Sequence, residues 1–372
     1  MPHVPPPVPA HILSLSLAHF RNHAATSLAP DHASAVVLTG PNGAGKTNIL
    51  EAISLLSVGR GLRGATLSAM AMQGPDAPGG FQLAAALATG PDLPAVSLRT
   101  GTMPEEPNRR QLRVNGAPAA LSTLGQWLSL LWVTPAMDRL FADSASARRR
   151  FLDRMTLTLA PGHAAHASRY DAAMRARTRL LTADTPADPE WLSALEVQMA
   201  SHGAALADAR AETVAALSAE LAALPAGPFP RPALTLAGDD ARDLGPRLVR
   251  SRAADAAAGR ATVGPHRADL DVVHAEKTMP AALASTGEQK ALLVAILLAQ
   301  ASLVARRTGR TLILLLDEAV AHLDADRRAA LFDRLAGLGG QSWLSGTDAT
   351  LFAGMQDAAH FSVQDGAARR TA

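Results

Sequence analysis

Apolar and polar positions along the chain change period several times, and each period predicts a kind of element. Leu13, Leu15 and Leu17 alternate with Ser14, Ser16 and Ala18, the two-residue repeat of a half-buried strand. A turn region with Asn22 and Pro30-Asp31 follows, and Val36-Val37-Leu38 then reads as a buried strand. Between Phe81 and Val114, short apolar runs at Leu83, Val96–Leu98 and Leu112–Val114 are broken by Gly, Pro and Asn. They predict strands of an antiparallel sheet, with Asn115-Gly116 as a hairpin turn. From Ala136 to Ala223 the chain is rich in Ala, Arg and Leu and poor in β-branched residues. Leu195, Met199, Leu206, Thr213, Leu217, Leu221 and Leu224 recur at spacings of three, four or seven, one apolar stripe on long helices. The Pro-rich stretch Pro225–Pro230 closes this region, and Leu234 and Leu236 suggest a strand beyond it. Ala291 to Leu298 is apolar on every face and predicts a buried helix. Thr311 to Leu316 is a continuous apolar run, as expected of a central parallel strand covered on both sides. A helix over Ala325 to Leu338 and a last strand near Trp343-Leu344 complete the pattern, with no internal repeat.

Composition narrows the classes. The chain has 372 residues, 48% of them hydrophobic, enough for about two domains with their own cores. Formal net charge is +2 although the sequence pI is 9.5. Nearly all the positive charge is arginine; the lysines are Lys46, Lys277 and Lys290. With one tyrosine and no cysteine, little titrates between neutral pH and arginine's range. The pI therefore overstates basicity, and only local clusters point to nucleic acid. The lack of cysteine excludes disulfides, thiol catalysis and cysteine-ligated zinc. Met1–Pro7 has neither a basic region nor an apolar core of signal length, and the apolar run Ala291–Ala299 is shorter than the ~20 residues a bilayer requires. The expectation is a cytoplasmic protein with no membrane partner.

The chemistry begins at Gly40-Pro41-Asn42-Gly43-Ala44-Gly45-Lys46-Thr47. This satisfies G-x-x-x-x-G-K-[ST], the phosphate-binding loop, and it lies between a predicted strand and a predicted helix starting at Asn48, as the motif requires. Its glycines let successive N–H groups wrap the phosphates of ATP, and the helix N-terminus adds partial positive charge. Lys46 supplies a mobile cation and Thr47 a hydroxyl for Mg²⁺. The second half is Asp317-Glu318, two carboxylates at the carboxyl end of the Leu312–Leu316 strand. From there Asp317 can reach the metal, and Glu318 can orient or deprotonate the attacking water. The predicted fold class is α/β: an ATPase head with a mixed sheet, formed by residues 1–135 and 263–372, and an inserted helical arm at 136–262.

Ser285-Thr286-Gly287-Glu288-Gln289 opens the buried helix that precedes the carboxylate strand. Ser285 and Gly287 make a second small-residue helix start suited to an anion. Phosphate loop, this segment, Asp317-Glu318 and Ala321-His322-Leu323-Asp324 follow one another in the order of an ABC-type ATPase head, which the chain resembles. The stretch between Lys46 and Ser285 is longer than in transporter subunits and far shorter than in SMC proteins. Local segments are similar to those of the RecF family: Phe20-Arg21-Asn22-His23, Gly45 to Ile53, Gly59-Arg60-Gly61-Leu62-Arg63, Arg149-Arg150-Phe151-Leu152-Asp153 and Gly264-Pro265-His266-Arg267-Ala268-Asp269. The resemblance implies an ATP-dependent homodimer in which Ser285 and Gly287 of one copy close on the γ-phosphate held by Lys46 of the other. It further implies a weak DNA-dependent ATPase acting at gapped or double-stranded DNA with RecR and RecO to load RecA, in replication, repair and the SOS response. The rival readings are an ATPase subunit of a membrane transporter and a nucleotide-gated DNA scaffold with incidental turnover. Glu288 stands where the family usually has glutamine, Asp317-Glu318 where it often has Asp-Asp, and Trp343 to Asp348 where transporters carry a switch histidine.

From Asp138 to Arg179 there are nine arginines against four aspartates. Arg148, Arg149, Arg150, Arg175, Arg177 and Arg179 are the candidate DNA contacts, against the alternatives of a solvated face or of Arg148–Arg150 pairing with Asp153. With aromatic residues at only 3%, tracking of a duplex backbone is expected over base stacking. Arg60 or Arg63 could meet the γ-phosphate or DNA. His163 and His166 read as surface histidines rather than metal ligands.

Overall fold

The structure, a computed structural model, describes residues 11–371 apart from 76, 89, 91, 92, 225, 226, 239, 240 and 322. Pro225-Ala226 of the Pro-rich stretch, His322 and the Met1–Pro7 segment therefore lie outside the described residues. The chain opens with β1 (His11–Phe20), β2 (His23–Leu28), β3 (Ala35–Thr39), α1 (Lys46–Ser54) and a short α2 (Leu67–Met70). Next come β4 (Phe81–Ala88), β5 (Val96–Met103), β6 (Glu106–Val114), β7 (Ala117–Ala119), α3 (Leu124–Trp127) and β8 (Ser129–Val133). The middle holds α4 (Ala145–Leu159), α5 (His163–Leu181), α6 (Pro189–Ala223), β9 (Pro232–Ala237), α7 (Leu244–Ala258), β10 (Asp269–His274) and β11 (Met279–Pro280). The last elements are α8 (Thr286–Thr308), β12 (Leu312–Leu316), α9 (Ala325–Gly337), β13 (Ser342–Gly346), β14 (Ala358–Gln364) and β15 (Ala367–Thr371).

These elements form two compact units. The first comprises residues up to Asp138, Ala226–Phe229 and Leu293 onward. It contains an antiparallel sheet in the order β2-β1-β4-β5-β6-β7 and a mixed sheet in the order β15-β14-β3-β13-β12-β8. In the mixed sheet β14, β3, β13, β12 and β8 pair in parallel, and β15 is the antiparallel edge. All five positions of β12 and of β13 are buried, which explains why their sequences read as unbroken apolar runs. One core joins Leu15 and Leu83 of the antiparallel sheet, Ile49 and Ile53 of α1, and Ile313, Trp343 and Phe361 of the mixed sheet. The predicted strands at Leu83, Val96 and Leu112 are β4, β5 and β6, and Asn115-Gly116 turns with positive φ at both residues. At the start of β1 the alternation slips: an irregularity between Ile12 and Ser14 buries Ile12 and leaves Leu13 partly exposed, because a bulge moves side chains to the opposite face. The predicted buried helix is longer than its apolar run. At 23 residues, α8 is long and apolar enough to cross a bilayer by length and composition, but 72% of that window is buried inside the protein, as in a core helix.

The second unit comprises Arg139–Pro225 and Pro230–Leu292. Segment 263–292 groups with Arg139–Pro225 in this unit. The reason is strand pairing: β10 runs antiparallel to β9 over six positions, and β11 adds a third strand. The long helices are α4, α5 and α6. Of the predicted stripe on α6, Leu195, Met199, Leu206, Thr213, Leu217 and Leu221 are buried, whereas Leu224 ends the helix and is partly exposed. Inside this apolar setting sits a fully buried cation. Arg177 of α5 donates to Glu196 of α6 (2.9 Å), to Asp255 of α7 (2.5 Å) and to the Leu248 carbonyl (2.7 Å). Arg252 shares Glu196, and Thr262 and Ser251 donate to Asp255. One guanidinium thus cross-links three helices with its charge matched on two sides. Arg177→Ala would leave Asp255 buried without its cation and Glu196 with Arg252 alone, and equilibrium denaturation should show a loss of about 3–5 kcal/mol. A loss below ~1 kcal/mol would mean that the web contributes no more than a surface pair.

Candidate functional site

The phosphate loop follows directly from β3. Gly40 has φ 152, and a Cβ there would lie 2.1 Å from the Val363 carbonyl oxygen of β14. Gly45 has φ 113, and a Cβ there would lie 2.6 Å from His23 Nε2 and 2.8 Å from Asn22 Oδ1. Both positions require glycine, the second because a polar brace presses on the loop. His23 is fully buried, with Nε2 3.0 Å from the Gly45 carbonyl and Nδ1 2.8 Å from the Gly366 carbonyl. Asn22 donates to the Ala44 carbonyl (3.1 Å) and accepts from Asn48 (2.8 Å). Arg21 grips the buried Glu51 of α1 with two hydrogen bonds (2.9 and 2.7 Å). Arg63 joins the same carboxylate and also holds Asn48. Phe20-Arg21-Asn22-His23 is therefore the support of the loop, a role the sequence did not reveal. Arg63 is engaged with Glu51 and Asn48, and Arg60 is exposed.

Lys46 begins α1 and is buried, its ammonium donating to the Gly40 (2.7 Å) and Pro41 (2.9 Å) carbonyls. Burial pulls its pKa below the ordinary lysine value, while the nearby Glu318 and Asp317 pull it back up. Asp317 directly follows β12 and is 3% exposed. Its carboxylate accepts from the Thr47 hydroxyl (2.9 and 3.0 Å) and from Ser345 at the end of β13 (2.7 Å). Burial pushes the Asp317 carboxyl up, Ser345 and Thr47 draw it down, and Glu318 pushes it up again. A buried carboxylate beside a hydroxyl is a hard-oxygen set that fits Mg²⁺, and its raised affinity for protons marks the place as short of positive charge. Glu318 has φ 49, the left-handed region that a side chain enters at a cost; its N–H donates to Ser345 Oγ (3.0 Å). Ser345 was missed from sequence, where only the vacated place of a switch histidine drew notice. The signal was present in Trp343-Leu344-Ser345, a buried strand ending beside the Asp317 strand.

In the second unit, Ser285 precedes α8. Its N–H and hydroxyl both donate to Glu288 (3.0 and 2.9 Å), and the Glu288 N–H points back to the Ser285 hydroxyl (3.4 Å). This reciprocal capping box folds the Glu288 side chain onto the helix start. Lys277 also holds Glu288, and together with Ser285 it lowers that carboxyl to about 2. Thr286 is exposed and Gly287 partly so.

The candidate DNA arginines separate into groups. Arg177 is wholly buried in the web described above, so it cannot touch a duplex; this corrects the sequence expectation, which counted arginines without knowing which helix face they occupied. Arg148 makes a two-pronged pair with Asp269 (2.8 and 2.6 Å), which holds that carboxyl below its ordinary value. Arg149 donates to the Ala268 carbonyl (2.8 Å) and Arg150 to Ser146 (3.3 Å). Asp153 serves none of these three; it accepts from Arg210 (2.7 Å) and lies 2.8 Å from His163. His163 is buried, not at the surface as expected; its Nε2 finds its polar partner in Asp153, which Arg210 holds in turn. Arg210 donates in turn to the Pro265 carbonyl (2.6 Å). His266, for which the sequence suggested no role, lies 2.9 Å from the Tyr170 hydroxyl. His166 pairs with His202, and the described residues contain no group of three or more metal-ligating side chains. Arg149, Arg175 and Arg179 line one cavity of about 620 Å³ together with Arg260 and Arg267.

Comparison with known proteins agrees with this architecture. The sequence model of the RecF/RecN/SMC N-terminal domain family matches residues 11–363. The chain is 49% identical to the DNA replication and repair protein RecF of Mesorhizobium japonicum, over 96% of this chain and 97% of that one. It is 47% identical to the RecF of Brucella suis biovar 1, over 95% of each. Among solved structures, it is similar to the recombination mediator protein RecF with ATP, with a TM-score of 0.84 at 20% identity over 100% of both chains. It also matches the Smc head domain derived from Pyrococcus furiosus, with a TM-score of 0.57 at 18% identity, over 97% of this chain and 96% of that one.

Because burial holds the Asp317 carboxyl above its ordinary value, its ionised form costs stability at neutral pH, and the cost fades as pH falls through that raised value and is gone below the ordinary one. Asp317→Asn should therefore raise the stability of the nucleotide-free protein by roughly 0.5–2 kcal/mol. The same variant should lose the extra thermal stability conferred by ATP with Mg²⁺. Thermal unfolding with and without Mg-ATP checks both, and a variant less stable than its parent without nucleotide would contradict the electrostatic account.

Proposed function

The chain belongs to the RecF family, and from that premise we propose that it is an ATP-binding recombination mediator of DNA replication and repair that dimerises head to head on ATP. The observation that carries the reading is the Thr47–Asp317 contact, which closes one half of a nucleotide site at the end of β12. Ser285 and Gly287 at the start of α8 form the other half, contributed by a second copy. In this arrangement the N–H groups of Asn42 to Thr47 wrap the phosphates and Lys46 neutralises them. Thr47 and Asp317 would hold Mg²⁺, which when bound supplies charge stabilisation at the phosphates. Glu318, with Ser345 fixing its N–H, orients the attacking water. Closure asks the Ser285 hydroxyl to exchange its bond to Glu288 for a phosphate oxygen.

On DNA, the exposed arginines of the second unit meet phosphates of a gapped or double-stranded molecule. Slow DNA-dependent hydrolysis then releases the dimer, so nucleotide acts as a timer. Family membership supports RecR and RecO as partners, RecA loading as the outcome and the cytoplasm as the location. The transporter reading is disfavoured by the match to RecF relatives along nearly the whole chain.

Sedimentation with and without ATP and gapped duplex tests the reading: dimers should require both ATP and Lys46. Lys46→Ala should abolish them, and ATP-dependent dimers persisting in that variant would overturn the two-copy site. Glu318→Gln should accumulate ATP-bound dimers on DNA; if DNA release is unaltered while turnover stops, hydrolysis is incidental and the protein is a scaffold. Duplex affinity should fall steeply with salt, by about 0.9 in log K per log salt for each phosphate contact. A flat response would remove the phosphate-contact model.

A further inference from the structure

Two motifs far apart in sequence interlock in the second unit. Arg148 pairs with Asp269, Arg149 with the Ala268 carbonyl, and Asp153 reaches the Pro265 carbonyl through Arg210. This locking brings the start of α4 against the turn that carries His266 and Arg267. The C-terminal end of α7 adds Arg260, and α5 adds Arg175, Thr178 and Arg179. The result is a concave, arginine-lined pocket of about 620 Å³ with no acidic residue in its lining. Arg149, Arg175, Arg179, Arg260 and Arg267 make no ion pair among the described residues. Arg175 and Arg179 are four apart on one helix, a like-charged spacing that costs stability in the absence of an anion. Asp171, one turn before Arg175, partly offsets that residue and lies outside the lining. Crowding is felt at Arg149 as well: burial first, and then Arg210, depress its pKa.

A surface that tracks a duplex spreads its cations along a line, one for each phosphodiester. Here five arginines from four segments line one concavity of nucleotide size. Convergent forks suit a group with three free oxygens and nearly two charges, which is a phosphate monoester and not a diester. We propose that this pocket is a binding site for a nucleotide-borne phosphate monoester, carried by the end of a DNA strand or by a free nucleotide. The strand-end source rests on the DNA-binding reading above; the free-nucleotide source does not.

The test compares short duplexes bearing 5′-phosphate, 3′-phosphate or hydroxyl ends, a closed circular duplex, and dAMP. The dAMP titration is made in a Lys46→Ala background so that the phosphate loop does not compete. A terminal phosphate or dAMP should gain about tenfold in affinity from charge-assisted contacts in the pocket. Arg175→Gln/Arg179→Gln should erase the difference between phosphate and hydroxyl ends and the dAMP binding, a readout that is independent of any loss in overall duplex affinity. Arg260→Gln, on a different element, should erase part of both, which guards against a folding defect in α5. Preference for phosphorylated ends identifies the strand-end source; dAMP binding with no end preference identifies the free nucleotide. Equal affinity for phosphate and hydroxyl ends together with no dAMP binding overturns the proposal, as does a gain that survives both variants. Failure of the parent protein to bind any duplex would instead sink the DNA reading, and dAMP alone would then decide the pocket.

Discussion

Parallel pairing of β3, β13 and β12 is the constraint on which the rest depends. Because these strands run the same way, their carboxyl ends share one edge of the sheet. The phosphate loop leaves β3 there, Ser345 ends β13 there, and Asp317 directly follows β12 there. The Thr47 hydroxyl and the Asp317 carboxylate, 270 residues apart in sequence, meet only because the pairing register brings the strand ends level. That register is fixed by burial on both faces, since every position of β12 and β13 is covered and a slip would expose apolar surface or bury polar groups. The loop can then be strained: Gly40 and Gly45 occupy conformations open to glycine because Val363 and the His23–Asn22 brace leave no room for a side chain.

The site carries a deliberate electrostatic imbalance. Asp317 is buried next to Glu318, while the nearby Lys46 spends two of its donors on loop carbonyls and Arg63 is paired with Glu51. Such an arrangement gives up stability to hold an affinity for a cation with its phosphate ligand. The second unit treats charge in the opposite way where it is structural. Arg177, Arg148 and Arg210 are each matched by carboxylates, so the buried web is neutral and rigid. The unmatched arginines are left for the pocket. Charge is balanced in the web that fixes the fold and unbalanced at the phosphate loop and in the arginine-lined pocket.

Within the signature segment, Glu288 in place of glutamine keeps the helix start well capped. The carboxylate accepts from Ser285 and Lys277 at once, so this departure from the family pattern reads as a local lock on the helix start. It sets a cost for releasing Ser285 that an amide with one fewer negative charge would lower.

The sequence by itself determined the elements whose signals are local. The glycine spacing of the phosphate loop, the unbroken apolar runs of α8 and β12, the stripe on α6 and the Asn115-Gly116 turn each reflect backbone geometry or burial acting over a few residues. It also placed Asp317 and Glu318 at a strand end. What only the tertiary structure decided are relations between distant residues: Ser345 beside Asp317, the His23–Asn22 brace, and the pairing of β10 with β9 that draws residues 263–292 into the second unit. The arginines show the limit most clearly. Arg175, Arg177 and Arg179 look alike along the chain, yet a rotation of about 100° per residue on the helix turns Arg177 into the core and leaves its neighbours at a pocket. Side-chain direction after packing, which composition does not encode, separates the buried structural cation from those that line the pocket.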